Sequence, residues 1–412
     1  MKRHLTILSF SLIAITGLSG CNSQVPQLNA SDSVDTNISN ELTIATLFED
    51  PLIESAARRF EAMYNGRYTV TLVTHGDFTS YAQIVNTALM SGGGEDIISA
   101  SQLTWQRLAD AGMLVDLNNK INFESGVYYQ SVLDSFLYNS GRYVIPLSFT
   151  IGTFKFNDMV TTNANLDRFT LEDLLAFAHT YPEIPLLTTP MGVSETGVAF
   201  TFFELNFNYF IDLTNRQANV DNEKFIALLE GVQSVGDRLR WPEPGEPQLI
   251  TGDIFFNATM ASGGLLDYEA FHIMTNDRGE GLVRTSSLMA INSNSKNQEL
   301  ATRFIEFLIS EEIQSLPEMW SNPVNKNAAE IVSRATLESV LVEGYIPFDG
   351  FNLERNIVAF NQLASRLVMS GTSDPFIGEF VMTEMIRFFD GEVTAQQAAT
   401  NLQARLTTYL NE

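Results

Sequence analysis

Apolar positions alternate between two periods over the stretch that begins near residue 40. Leu42 to Phe48 (LTIATLF) and Tyr68 to Thr74 (YTVTLVT) are β-branched, apolar runs of strand length. Between them Leu52, Ile53, Ala56, Phe60 and Met63 recur at helical spacing. Asp50 is suited to cap that helix, Pro51 to open it, and Gly66 follows its end. A second stripe, Tyr81, Ile84, Val85, Ala88 and Leu89, predicts the next helix. Gly92, Gly93 and Gly94 close it, because glycine enters the left-handed region at little steric cost. Asp96 to Ser99 then reads as a short buried strand, and a short helix over 103–111 stops at Gly112.

Strand and helix in strict alternation predict a parallel α/β sheet with right-handed crossovers. Ligands of open parallel sheets sit at the C-terminal ends of the strands. Those ends carry Phe48, Glu49 and Asp50, then His75 to Phe78, then Ser101 and Gln102. Singly, each suits a cap or a turn; together they are candidates for one ligand-facing edge.

Further along, Gly141 to Pro146 (GRYVIP) reads as a hairpin arm entering an extended segment that Phe154 to Asn157 continues. Thr170 with Asp173 makes a capping box that starts a helix through Ala178. Residues 198–211 (VAFTFFELNFNYFI) hold six aromatic rings around most of a helix circumference, which predicts a buried core helix over an exposed aromatic platform. A loop is expected over Asp237 to Gln248, with Trp241 and three prolines. Ser286 to Asn292 reads as a strand, Leu300, Phe304, Ile305 and Leu308 as a helical stripe, and amphipathic helices follow from Ala328 to Leu410.

Composition narrows the function. A formal charge of −25 disfavours nucleic acid, which needs basic surface to release counterions. Cys21 is the single cysteine, and the four histidines stand apart in sequence, so neither a disulfide nor a metal site is expected, and no cofactor. Lys2 and Arg3 precede an apolar run, Leu5 to Leu18, too short for a comfortable membrane crossing. It ends in Leu18-Ser19-Gly20-Cys21, which resembles the bacterial lipobox and implies lipidation of Cys21. Asn22 to Asn40, polar and poor in large apolar residues, reads as a flexible tether.

Tyr81, the Ser91 to Gly94 turn, Asp96-Ile97-Ile98, Gly112-Met113-Leu114 and Asp116-Leu117 together resemble family 1 of the bacterial extracellular solute-binding proteins, the largely carbohydrate-binding receptors of ABC importers. The Gly141 to Pro146 passage and the run from Ser286 through Trp320 to Asn325 are similar to the same family. Glu95 stands where proline is common, Phe156 where tyrosine is common, and Thr259 is an extra residue before Met260. The resemblance implies a periplasmic-binding-protein-like (type II) fold, two α/β lobes joined by a hinge over a ligand cleft. On that pattern residues 1–20 are the signal peptide and 21–40 the tether, with lobes of 41–146 plus 285–325 and 147–284 plus 326–412.

It further implies a monomeric, lipid-anchored, extracytoplasmic receptor that captures a sugar and hands it to ABC permease subunits, with no catalytic residue. Ligand-binding candidates are Phe48, Asp50, Ser101, Gln102, Phe149, Asp267, Tyr268 and Trp320: rings for apolar sugar faces, polar groups for hydroxyls. The alternatives are an anchored glycoside hydrolase, whose paired carboxylates have no sequence spacing, and a sensor or adhesion lipoprotein. Gly192 to Thr196 misses a nucleophile elbow at its last residue, and Gly92 to Gly94 lacks the lysine of a phosphate loop.

Overall fold

The structure, a computed structural model, describes residues 40–123, 126–156, 168–188, 194–240, 250–258, 272–285, 287–319, 321–342, 352–369 and 374–412. Its first third follows the predicted alternation: β1 (Glu41–Thr46), α1 (Pro51–Met63), β2 (Thr69–Thr74), α2 (Phe78–Met90), β3 (Ile97–Ser99) and α3 (Trp105–Asp110). After α4 (Gln130–Asp134), β4 (Ile145–Pro146) ends this portion. Asp50 caps α1 as expected, its Oδ1 accepting from the Leu52 and Ile53 amides at 3.0 and 3.2 Å. The predicted apolar stripes are buried except at Ala88, partly covered, and at Met63 and Ile84, each about half exposed, where the stripe rotates off the core-facing side.

The chain then builds a second set: β5 (Ser148–Phe156), α5 (Leu171–Thr180), β6 (Leu187–Thr188), α6 (Glu195–Leu205), α7 (Phe207–Phe210), β7 (Ile211–Asp212), β8 (Gln217–Ala218), α8 (Glu223–Gln233), β9 (Ile250–Ala258) and β10 (Gly281–Arg284). It returns through β11 (Leu288–Ile291), α9 (Gln298–Leu308), α10 (Glu311–Gln314) and β12 (Asn322–Pro323). The last elements are α11 (Lys326–Val342), α12 (Leu353–Ala364), β13 (Leu367–Met369), α13 (Pro375–Phe389) and α14 (Ala395–Asn411).

Two main sheets result among the described residues. The first has the order β2-β1-β3-β11-β4, with β1, β2 and β3 parallel and the returning β11 antiparallel to both β3 and β4. The second runs β13-β10-β5-β9-β6, with β12 pairing to the start of β5. Two hydrophobic cores form, and the first also takes in Phe149, Ile151, Val283 and Leu367 from one side of the second sheet. The first packs Phe60 of α1 against Phe304 and Phe307 of α9, around a fully buried Trp105. Full burial of side chains this size contributes about 1.5–3 kcal/mol each. The second core gathers the aromatic run: Phe203 of α6 and Phe210 of α7 meet Phe225 of α8, Phe207 packs on Phe203, and Phe202 is buried in the same cluster. The run is therefore core, as its pattern predicts, although the helix breaks at Asn206 and Tyr209 stays exposed. The sequence pattern groups α12 with the second set, yet its Phe360, Leu363 and Ala364 pack into the first core.

The most specific sequence motif turns out to be structural. Asp96, buried at the N-terminal end of β3, accepts hydrogen bonds from Thr43 N (2.8 Å), Thr43 Oγ1 (3.0 Å) and Ser295 Oγ (2.6 Å), with Asn297 Nδ2 at 3.4 Å. It ties β1 and the turn after β11 to one carboxylate. Tyr81, fully buried on α2, donates its hydroxyl to Ser99 O at 2.6 Å and so fixes α2 to β3.

The chain passes between the sheets at Leu147, next to Thr285 and Ser287, and again before β12, and these passages are hydrogen-bonded to one another. Leu147 N donates to Ser287 O at 2.9 Å, and the buried Gln314 Nε2 donates to Leu147 O at 2.7 Å. Gln314 Oε1 in turn accepts from Asn325 N at 3.1 Å. Buried amides with their partners met in this way are costly to disrupt.

Candidate functional site

Because β1 lies between β2 and β3, the C-terminal strand ends bring Phe48, Asp50, Ser101 and Gln102 to one edge of the first sheet. Phe48 is 49% exposed at a strand end. Asp50 is held by its capping bonds, and Ser101 Oγ accepts from Leu288 N at 2.8 Å, which ties this edge to the passage at 285–287. Gln102 is half-buried. Phe149 is fully buried, its ring centroid 5.1 Å from that of Tyr129 and 6.2 Å from that of Phe360. In this conformation its ring serves packing beside the passage between sheets. Asp267, Tyr268, Trp320 and Cys21 lie outside the described residues.

On the second sheet, next to the same passage, Arg284 pairs with Glu204 of α6 at 2.5 Å. The carboxylate is almost wholly buried, so the ion pair keeps a charge in the core that would otherwise be strongly unfavourable. Thr150, half-buried on β5, sits in register with Arg284.

The two sets also meet along a seam of mixed polar and apolar lining. One cavity of about 310 Å³ has Gln106, Arg107 and Tyr138 on one wall and Arg216, Asp374 and Glu412 on the other. A second, of about 580 Å³, lies between Ser131 to Asn139 and the 208–214 segment, and shares Tyr138 and Leu213 with the first. Arg107 donates Nη2 to Tyr409 O, and its guanidinium carbon lies 4.0 Å from the Tyr409 ring centroid. Tyr409 donates its hydroxyl to Asp374, at 2.9 Å to Oδ2, while Asp374 caps α13 through the Phe376 and Ile377 amides. Burial raises the Asp374 carboxyl above its ordinary pKa against the pull of these hydrogen bonds. The Tyr409 hydroxyl is raised by burial first and by the Asp374 charge second. Tyr138 donates to Asp110 at 2.9 Å and is pushed up to about 12, by burial and then by Asp110.

None of these pairings is marked by the local sequence. Arg107 and Tyr409 are 302 residues apart, and Arg284 and Glu204 80. The available signal was indirect: an arginine on the short helix that directly follows Ser101 and Gln102. Among the described residues no group of three or more His, Cys, Asp or Glu is placed to hold a metal ion, and no helix is long and apolar enough to cross a membrane.

Two α/β sets joined by hydrogen-bonded passages, with ligand-type residues at strand ends, define a two-lobed binding-protein fold. A profile of bacterial extracellular solute-binding proteins matches residues 55–333, well over half of the chain. The chain belongs to that family. Among solved structures it is similar to an ABC substrate-binding protein from Listeria monocytogenes in complex with cycloalternan, at 16% identity and a TM-score of 0.56, over 90% of this chain and 99% of that one. It is similar to a family 1 extracellular solute-binding protein from Alicyclobacillus acidocaldarius, at 15% identity and 0.57, over 92% and 100%. The GacH receptor of Streptomyces glaucescens, solved unliganded and with acarbose, gives 13% and 0.55, over 90% and 98%. A sequence comparison with curated proteins gives no match.

Proposed function

We propose that this chain is the capturing subunit of an ABC importer for a sugar or oligosaccharide. The observation that carries this reading is the family membership joined to two α/β sets linked by hydrogen-bonded passages. Carbohydrate is favoured as the solute because two of the structural relatives were solved with cycloalternan and with acarbose, and because the strand-end candidates are of the same chemical kind. Phe48 offers an aromatic face, while Asp50, Ser101 and Gln102 offer acceptors and donors for hydroxyls. Asp267, Tyr268 and Trp320 are the proposed counterparts from the rest of the cleft.

On this reading residues 41–146 plus 285–325 form one lobe and 147–284 plus 326–412 the other, turning about the passages at Leu147 and 285–287. Ligand stabilises the closed form by its greater affinity for that form, and the permease subunits recognise it. Lipid on Cys21 holds the domain at the outer face of a bacterial cell membrane, and residues 22–40 act as the spacer. The subunit is monomeric and returns its ligand chemically unchanged.

A thermal-shift and calorimetric screen of mono- and oligosaccharides tests this. A ligand at a hundred times its Kd stabilises the folded form by about 2.7 kcal/mol, a readable rise in Tm. Cleavage of any sugar in the panel points to the hydrolase instead, and a panel with no shift removes carbohydrate as the solute. Alanine at Phe48, Tyr268 or Trp320 should weaken binding.

A further inference from the structure

We propose that Glu204 sets the charge of the solute. It neutralises Arg284 at the ligand edge of the second sheet, so that the guanidinium donates to the hydroxyls of an uncharged sugar and acidic sugars are turned away. Arg284 is the group that touches the solute, and Glu204 is the positioning residue behind it. The inference rests on the sugar-capture reading and narrows its substrate class.

Strand directions place the pair. In the second sheet β9 and β10 both run antiparallel to β5, while β6 runs with β9 and β13 with β10. The ligand edge of this sheet is therefore formed by the C-terminal ends of β6, β9, β10 and β13, beside the start of β5. Arg284 is the last residue of β10, directly before Thr285. It stands in register with Thr150, whose Oγ1 donates to Arg284 O at 3.4 Å. Leu282, two residues earlier and so on the same face, is buried in the second core. The pair thus lies where that core stops, and the 29% of the arginine side chain that water reaches is at the strand end.

Charge decides what this edge accepts. Glu204 is 2% exposed, with its Oε2 2.5 Å from Arg284 Nη2. A carboxylate buried to that degree persists because a cation sits on it, so the charge of Arg284 is already committed. Its fork has five N–H donors, and the bond to Glu204 uses one of them, which leaves donors for sugar oxygens. A solute carboxylate on the same guanidinium stands against Glu204 across the width of one planar group, a like-charge arrangement that weakens binding about a hundred-fold. The first sheet has the same sign. Glu49, Asp50 and Asp77 follow β1 and β2, and neither those ends nor residues 100–104 carry Lys or Arg. Among the described residues at these strand ends of both sheets, Arg284 is the one Lys or Arg.

The test is calorimetric titration of the full chain with sugars in pairs that differ by one carboxylate: glucose with glucuronate, galactose with galacturonate, and maltotetraose with the form oxidised to a uronate at its non-reducing end. The neutral member should bind about a hundred-fold tighter than its acid. An acid that binds as tightly as its neutral counterpart overturns the proposal and leaves sugar capture standing, whereas a panel with no binding removes sugar capture and this inference with it. Glu204→Gln keeps a hydrogen-bond acceptor and removes the charge, so it should raise affinity for the acid about ten-fold while the neutral sugar changes little. A structural role alone weakens both members alike; that result in the folded variant, or no gain for the acid, overturns the role of Glu204. Adding Arg284→Gln should abolish the gain and weaken the neutral sugar about ten-fold, the equivalent of one charge-assisted hydrogen bond, and an unchanged neutral affinity overturns the contact. The wild-type pairs need no variant and decide the charge preference if a variant fails to fold.

Discussion

Replacing Asp96 by alanine is predicted to destabilise the first lobe severely while leaving the ligand edge intact. The carboxylate is 8% exposed and serves Thr43 N, Thr43 Oγ1 and Ser295 Oγ within 3.0 Å, with Asn297 Nδ2 at the margin. A hydrogen bond to a charged group contributes about 1.5–3 kcal/mol net, and each buried donor left without a partner costs about 1–3 kcal/mol. Removing the carboxylate also removes its own desolvation cost, so the sum falls short of three full bonds. We expect a loss of about 3–5 kcal/mol, the range for breaking a buried charged network. Asp96→Asn should cost about half as much, because Oδ can still accept from Thr43 while Nδ2 donates to Ser295 Oγ, which is able to accept. Chemical denaturation with urea measures both, and a midpoint shift at unchanged slope identifies a pure stability effect. Solute binding by Asp96→Asn should match wild type, since Asp96 and Ser101 lie at opposite ends of β3. Wild-type stability in Asp96→Ala would refute the assignment, as would loss of binding in a stably folded Asp96→Asn.

Three further outcomes follow from the same geometry. Gly94 has φ +96°, and a Cβ there would come within 3.3 Å of the Ala88 Cβ; Gly94→Ala should cost about 1–3 kcal/mol by the same denaturation assay. Arg284→Met leaves the Glu204 carboxylate buried beside an apolar chain. Destabilisation should approach about 3 kcal/mol at pH 7 and shrink in the double variant with Glu204→Gln, a non-additivity that a double-mutant cycle reads directly. Tyr138 ionises from 10.0 when unfolded and at about 12 when folded. A phenol raised in this way supports the fold fully below pH 10 and loses that support as pH climbs from 10 to 12, so Tyr138→Phe should flatten the stability profile in that window.

The order of elements was legible where its signals are local. Apolar period, a capping aspartate before proline at 50–51 and a capping box at Thr170 are decided within a turn of helix or a few strand residues. The burial of the 198–211 aromatics followed from their coverage of the whole helix circumference. The family, too, was readable from short motifs, and the profile over residues 55–333 bears it out. Tertiary structure alone decided the partners. It inserted β11 antiparallel between β3 and β4, gave Asp96 its structural role, enclosed Phe149 between Tyr129 and Phe360, and set Arg107 against Tyr409. Period and caps are written in neighbouring residues, whereas a contact between distant residues exists only after the intervening chain has closed its loops and buried its cores. No local pattern carries that information.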